Sequence, residues 1–326
     1  MLHTIRNAMF GLAGLGLLAA FGLATPATAG SIPENNDPIK LAINEWTGQH
    51  ISTHVAGEVL KRMGYTVEYV IAGYYPQMTA LEDNTISATL EIWSSNIGEN
   101  YDKALASGNV IEIGDLGLEP REAWMYPKYV ASMCPGLPDW TALKNCADLF
   151  SSPETFPTGR FLDYPLDWGT TNVDRINALG LDLVSIPSGG EGALVAEIKS
   201  AVSRKAPLLL QFWAPHWLHA DIEMEIVQLP PYAAGCHDDA SWGVNPDSTW
   251  DCDWELGYIK KMVWIGLGDK WPGALKLLQA YTLTNAAQNA MMAQIDVEGR
   301  DITEVVNEWL DANESTWKPW VDQAMM

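Results

Sequence analysis

Short apolar runs alternate along the chain with stretches of helical spacing. Ile39 to Ile43 reads as a strand. Val55, Val59, Leu60 and Met63 recur at the helical period until Gly64 stops the run, and Thr66 to Ile71 is again a strand, which makes a βαβ opening. Met78 to Asp83 reads as a short helix, and Ile86 to Ile92 as a strand that delivers Trp93 at its C-terminal end. From Glu119 the pattern is punctuated by Pro and Trp, so a crossing into a second domain is expected there, with Tyr129 to Met133 as the next strand. Thr158 to Leu162 then leads toward Trp168, and Asn172 is placed to cap a helix over Val173 to Leu179. Leu183 to Ile186 reads as a strand, the run Ser188-Gly189-Gly190-Glu191-Gly192 precedes a helix from Ala193 to Val202, and Leu208 to Phe212 is a buried strand ending at Trp213. Glu225 to Leu229, followed by Pro230-Pro231, is the expected return crossing. Beyond it Tyr258 to Leu267 reads as a strand, and Pro272 to Ala280, Asn285 to Ile295 and Ile302 to Ala312 as helices. No internal repeat or low-complexity linker is visible.

This pattern predicts an α/β fold of two lobes with a ligand cleft between them and two crossings. The first lobe takes residues 30–120 and 230–326, and the second takes 121–229. Residues 1–29 have the layout of an export signal: Arg6 in a short n-region, an apolar stretch from Met9 to Leu23, and Ala27-Thr28-Ala29 before the cut. The expectation is a periplasmic monomer without a membrane insertion of its own.

Charge narrows the partners. Forty-one acidic residues stand against 19 basic ones, a net of −22, which argues against nucleic acid and anionic lipid. The four cysteines suit an exported protein, and their spacing suggests the local pairs Cys134 with Cys146 and Cys236 with Cys252, among three possible connectivities. Asp238, Asp239, Asn245, Asp247, Asp251 and Asp253 crowd the second cysteine loop. Such oxygens suit a structural calcium, although EF-hand spacing is missing and a solvated acidic loop is the alternative. No catalytic triad, reactive Cys–His pair or metalloprotease motif is present, so no enzymatic activity and no required cofactor are expected.

Tryptophan carries the chemistry. Of 15 in the chain, Trp46, Trp93, Trp168 and Trp213 sit in polar or turn-like settings at strand ends, where open α/β sheets bind ligands. Ring faces carry negative potential, so several around one volume attract a quaternary ammonium, which has no N–H to offer. Trp140, Tyr126 and Trp217 are reserve candidates. Glu122, in the expected crossing, is placed to complement a cation or bond a hydroxyl, unless it pairs with Arg121 or Lys128. Backbone N–H groups of Gly189 to Gly192 are a candidate contact for a ligand oxygen. An exported carbohydrate-active enzyme or lectin is the competing class, since tryptophans and carboxylates also line sugar clefts.

The runs Asn44-Glu45-Trp46-Thr47-Gly48, Leu90-Glu91-Ile92-Trp93, Ala123 to Val130 and Phe212 to Leu218 resemble the glycine betaine/choline-type substrate-binding proteins of ABC importers. Trp271-Pro272, Leu283-Thr284-Asn285 and Glu304 to Leu310 fit the same family. The resemblance implies a type II periplasmic binding protein fold that closes on a methylated ammonium compound and delivers it to an inner-membrane ABC permease, with Trp46, Trp93 and Trp213 at box positions. Choline-binding members carry Trp-Thr-Asp at the first station, whereas Gly48 follows Trp46-Thr47 here. Trp168 and Glu122 make the chain more similar to the trimethylamine N-oxide-binding members, a subgroup in which a calcium site is a further expectation. Trimethylamine N-oxide is thus the first expectation, with choline, glycine betaine and carnitine as alternatives.

Overall fold

The computed structural model describes residues 31–326 apart from 170 and 234, so the expected export signal lies outside the described residues. The strands are β1 (Ile39–Ile43), β2 (Val67–Ile71), β3 (Ala88–Trp93), β4 (Val110–Asp115), β5 (Arg121–Pro127), β6 (Pro135–Pro138), β7 (Gly159–Asp163), β8 (Leu183–Pro187), β9 (Leu210–Ala214), β10 (Met224–Ile226) and β11 (Ile259–Trp264). They build two five-stranded sheets, with β6 outside both. In the first, β1 pairs in parallel with β2 and β3, and β11 inserts antiparallel between β3 and β4, giving β2-β1-β3-β11-β4. In the second, β7 pairs in parallel with β8 and β9, and β5 lies antiparallel between β9 and β10.

Followed from the opposite edge, the second sheet runs β8-β7-β9-β5-β10, the same order as the first. The two lobes therefore repeat one topology, with β7, β8 and β9 standing where β1, β2 and β3 stand. No such repeat was visible in the residues, because it lies in strand order and not in side chains. In each sheet one antiparallel strand comes from outside the local βαβ run: β5 enters the second sheet directly from β4, and β11 returns to the first.

Local chemistry explains the elements that frame the cleft. All six residues of β3 are buried, as expected for a central strand covered on both faces. The helix Thr47–Arg62 buries Ile51, Val55, Val59 and Leu60, and Gly64 after it takes φ +100°, the left-handed conformation that stops a helix. Apolar residues pack into one large cluster that spans the first sheet and the cleft, and a second that lies with β5 and β7 around Trp124, Phe161 and Leu209.

Several expectations change. Tyr129 to Met133 is not a strand, since Lys128–Ser132 forms a 3-10 turn, and the strand is β5, the stretch expected as a crossing. Six of its seven residues are buried, so the alternation that marks a half-exposed strand is missing. Glu225 to Leu229 starts as edge strand β10 against β5 and does not lead out of the lobe. The chain stays with the second sheet well past Pro230: Arg121 pairs with Asp253, Arg175 Nε donates to the Cys252 carbonyl at 2.9 Å, and Asn245 Nδ2 donates to the Ala178 carbonyl at 2.8 Å. These contacts move the return crossing from residue 230 to the stretch just before Ile259. Asn172 does not cap its helix. Thr171 stands at that position, while Asn172 accepts from Trp124 Nε1 and donates to Asp163. The helices Glu99–Ala106 and Glu314–Met325 have no counterpart in the sequence reading; the first buries only Ala104, and the second carries Pro319 inside it. The local disulfides Cys134–Cys146 and Cys236–Cys252 are both formed.

Candidate functional site

The C-terminal ends of the parallel strands of both sheets face one another, and four tryptophans occupy equivalent stations there. Trp46 follows β1 and opens the helix Thr47–Arg62, while Trp168 follows β7 at the end of the 3-10 turn Leu166–Trp168. Trp93 ends β3, and Trp213 is next to last in β9. With Tyr74, Asn96, Glu122 and Tyr164 they line one cavity, whose space free of protein atoms is about 310 Å³ with the part open to solvent included. All four indoles are buried. Trp168 is the central ring, with its centroid 5.4 Å from Trp46, 5.6 Å from Trp213 and 5.7 Å from Tyr164, each pair edge-on. Edge-to-face contact suits ring quadrupoles and sets neighbouring walls at steep angles, as an enclosing box requires.

Carboxylates hold the rings by their N–H edges. Trp46 Nε1 at 2.8 Å and Trp93 Nε1 at 3.1 Å both donate to Oε1 of Glu91, and Trp168 bonds to Glu45 from the other lobe. Glu122 projects from β5 and is buried. Ser95 Oγ donates to one of its oxygens, and Asn96 Nδ2 and Gln211 Nε2 approach the other at 3.4 Å. Because Ser95 and Asn96 follow β3, this carboxyl joins the two lobes. Burial pushes it above the usual carboxylate range, while the Ser95 bond and the charge of Arg175 pull it back. Arg121 and Lys128, the alternative partners weighed for Glu122, bond Asp253 and Glu223 instead.

The remaining expected residues are placed elsewhere. Tyr126 is fully buried and its hydroxyl donates to Glu225 at 2.9 Å, while Trp140 packs beside the second core cluster under Lys144. Trp217 donates to Asp296 at 2.8 Å and does not line the cavity. Gly189 to Gly192 do not line it either; Gly190 opens the helix Glu191–Arg204. Asp238, Asp239, Asp247, Asp251 and Asp253 do not converge as calcium ligands. Asp239 accepts from the Ser241 amide, Asp251 from the Asn245 amide, and Asp253 is taken by Arg121. Among the described residues the one group of three close potential ligands is Cys236, His237 and Cys252, and its sulfurs are joined in a disulfide. Among the described residues these carboxylates form no group of three within ligand distance of one another, while Oδ1 of the buried Asp251 has no hydrogen-bond partner.

Tyr74, Asn96, Tyr164 and Glu91 were missed. Tyr74 and Tyr164 come just after β2 and β7, so the strand-end rule that picked the tryptophans would have found them had it been extended to tyrosine.

Residues 37–312 match the family described as the substrate binding domain of ABC-type glycine betaine transport system. The chain is 30% identical over 315 residues to a trimethylamine N-oxide-binding protein of Pelagibacter ubique (strain HTCC1062), covering 93% of this chain and 98% of the relative. It is similar in fold to lactococcal OpuAC in its closed-liganded conformation complexed with glycine betaine, with a TM-score of 0.70 and 16% identity over 88% of this chain and 100% of that one. It is also similar to an ABC-transporter choline binding protein in complex with choline, with a TM-score of 0.69 and 16% identity over 88% of this chain and 95% of that one.

Proposed function

The chain belongs to the substrate binding domains of ABC-type glycine betaine transport systems, and we propose that it is the periplasmic receptor of an importer for trimethylamine N-oxide. The observation that carries this reading is the single cavity walled by Trp46, Trp93, Trp168 and Trp213, two from each sheet. Such walls attract a trimethylated nitrogen by cation–π contact and by burial of its methyl groups. Which methylated compound fits is decided by the polar groups. The cavity lining has Asn96 and Glu122 and no arginine, so the carboxylate of glycine betaine would meet Glu122 without a strong cationic partner. An N-oxide oxygen needs one donor. A proton shared between the ligand oxygen and Glu122 would supply it: burial raises the affinity of that carboxyl for a proton, although Ser95, Asn96 and Gln211 donate to it here. The 30% identical trimethylamine N-oxide-binding protein supports the same choice.

Calorimetric titration with trimethylamine N-oxide, choline, glycine betaine and carnitine tests the reading. Tightest binding of trimethylamine N-oxide is expected. Tighter binding of another of the four would keep the box and replace the ligand, and no binding of any would remove the function.

A further inference from the structure

We propose that Glu91 is a positioning residue for the tryptophan box: an ionised carboxylate that holds Trp46 and Trp93 by their N–H edges and acts as a counter-charge to a methylated nitrogen that it does not touch. This rests on the function proposed above. Glu91 and Trp93 are two residues apart on β3, so they project from the same face of the strand, and Glu91 is outside the residues that line the cavity.

The donors around Glu91 define its state. Oε1 accepts from Trp46 Nε1 and Trp93 Nε1, and Oε2 accepts from Ser52 Oγ at 2.7 Å and Gln288 Nε2 at 3.2 Å. Indole and amide N–H groups only donate. Ser52 Oγ itself accepts from Gln288 Nε2 at 3.0 Å, which leaves its own proton free for Glu91. A protonated Glu91 would turn its O–H toward groups that are already donating, so the four partners suit the anion. Burial opposes that charge, and the four donors offset the opposition.

Burying an anion is costly, and the second lobe does without one at the matching station. Gln211, two residues before Trp213 on β9, stands at the station equivalent to Glu91, and its neutral amide bonds to Glu122. An indole that donates to a carboxylate is polarised by it, which enriches the ring face offered to a cation. Glu91 thereby polarises both indoles of the first-lobe wall, as Glu45 does Trp168 of the second.

The test compares wild type with Glu91→Gln, measuring affinity for trimethylamine N-oxide and for tert-butanol, its isostere without charge separation, together with the melting midpoint. The expected result is a loss of about tenfold or more for trimethylamine N-oxide, with tert-butanol affinity held within about twofold. Equal losses for both ligands would mean that Glu91 only supports packing, and no loss for either would remove any role; both outcomes overturn the proposal. Where Glu91→Gln does not fold, or where wild type binds no methylated amine and the function itself fails, indole ¹⁵N–¹H spectra of wild type still decide the anchoring. The Trp46 and Trp93 N–H signals, assigned through Trp46→Phe and Trp93→Phe, are expected downfield and protected from exchange. Signals at ordinary positions that exchange freely would overturn the proposal.

Discussion

An indole attracts a methylated nitrogen only while its face is held toward it, so the energetic weight of the site rests on single side chains. Trp213→Ala removes a face and leaves a void beside Trp168 and Tyr164; the expected loss of trimethylamine N-oxide affinity is about 1–2 kcal/mol or more, read by calorimetry. Glu122 gives a sharper distinction. Glu122→Gln keeps an N–H donor for the ligand oxygen and is expected to retain binding, whereas Glu122→Ala is expected to lose about 1.5–3 kcal/mol. Equal losses in the two variants would contradict the donor role. The four tryptophans were legible in the sequence because their flanking Gly, Thr, Ser and Pro residues mark strand ends, whereas Glu122 was singled out for a place in a crossing that is in fact strand β5. Glu91 was not, since nothing in Leu90-Glu91-Ile92 tells a buried acid from one on the exposed face of a strand. Lys261 was hidden in the same way: it lies in an apolar strand, yet its ammonium is buried and donates to the carbonyls of Leu278, Gln279 and Tyr281.

The helix Thr47–Arg62 begins with a cap position that cannot cap. Trp46 occupies it, with its ring in the box and no side-chain acceptor for the first turn. Glu191, from the opposite lobe, accepts from the Thr47 amide at 2.8 Å and also meets His216 Nε2 at 3.2 Å. The first turn is therefore satisfied by the partner lobe, an arrangement that depends on the lobes being together. Glu191→Ala is expected to cost about 1 kcal/mol of ligand affinity, a weakening of about fivefold, seen in stopped-flow traces mainly as faster release. An unchanged release rate would contradict this. Helices with clean spacing, such as Pro272–Ala280 and Ile302–Ala312, were legible to their ends. β5 was not, because burial on both faces erases alternation and flanking prolines imitate a linker.

Two sheets of one topology, facing each other with tryptophans at matching stations, make the cavity a property of the closed molecule. Gly169 fits this closure: with φ at +76°, a Cβ there would overlap the Tyr75 hydroxyl of the other lobe. Gly169→Ala is expected to favour the open form and weaken binding, which small-angle scattering with ligand would detect as a failure to contract. The whole fold also carries a pH dependence. His54, stacked on Tyr69, and His237, stacked on Trp250, are both held near pKa 4, chiefly by burial. Unfolded histidine titrates near 6.5, so between those values the unfolded chain binds more protons. Their contribution to stability is complete above about pH 6.5 and is lost as pH falls toward 4. Denaturant midpoints should drop across that window, and His54→Gln should flatten part of the drop. The lobes themselves were legible from alternating strands and helices, while their shared strand order was not, since it is written in pairing and not in residues. The central claim is that rings from both lobes close on one methylated nitrogen, and its most direct test is a fluorescence titration with trimethylamine N-oxide of wild type, Trp46→Ala and Trp213→Ala. The account predicts a saturable change in wild-type emission that either substitution alone abolishes or shifts to much higher concentration. A wild type with no saturable change, or a variant in either lobe that binds as tightly as wild type, would contradict it.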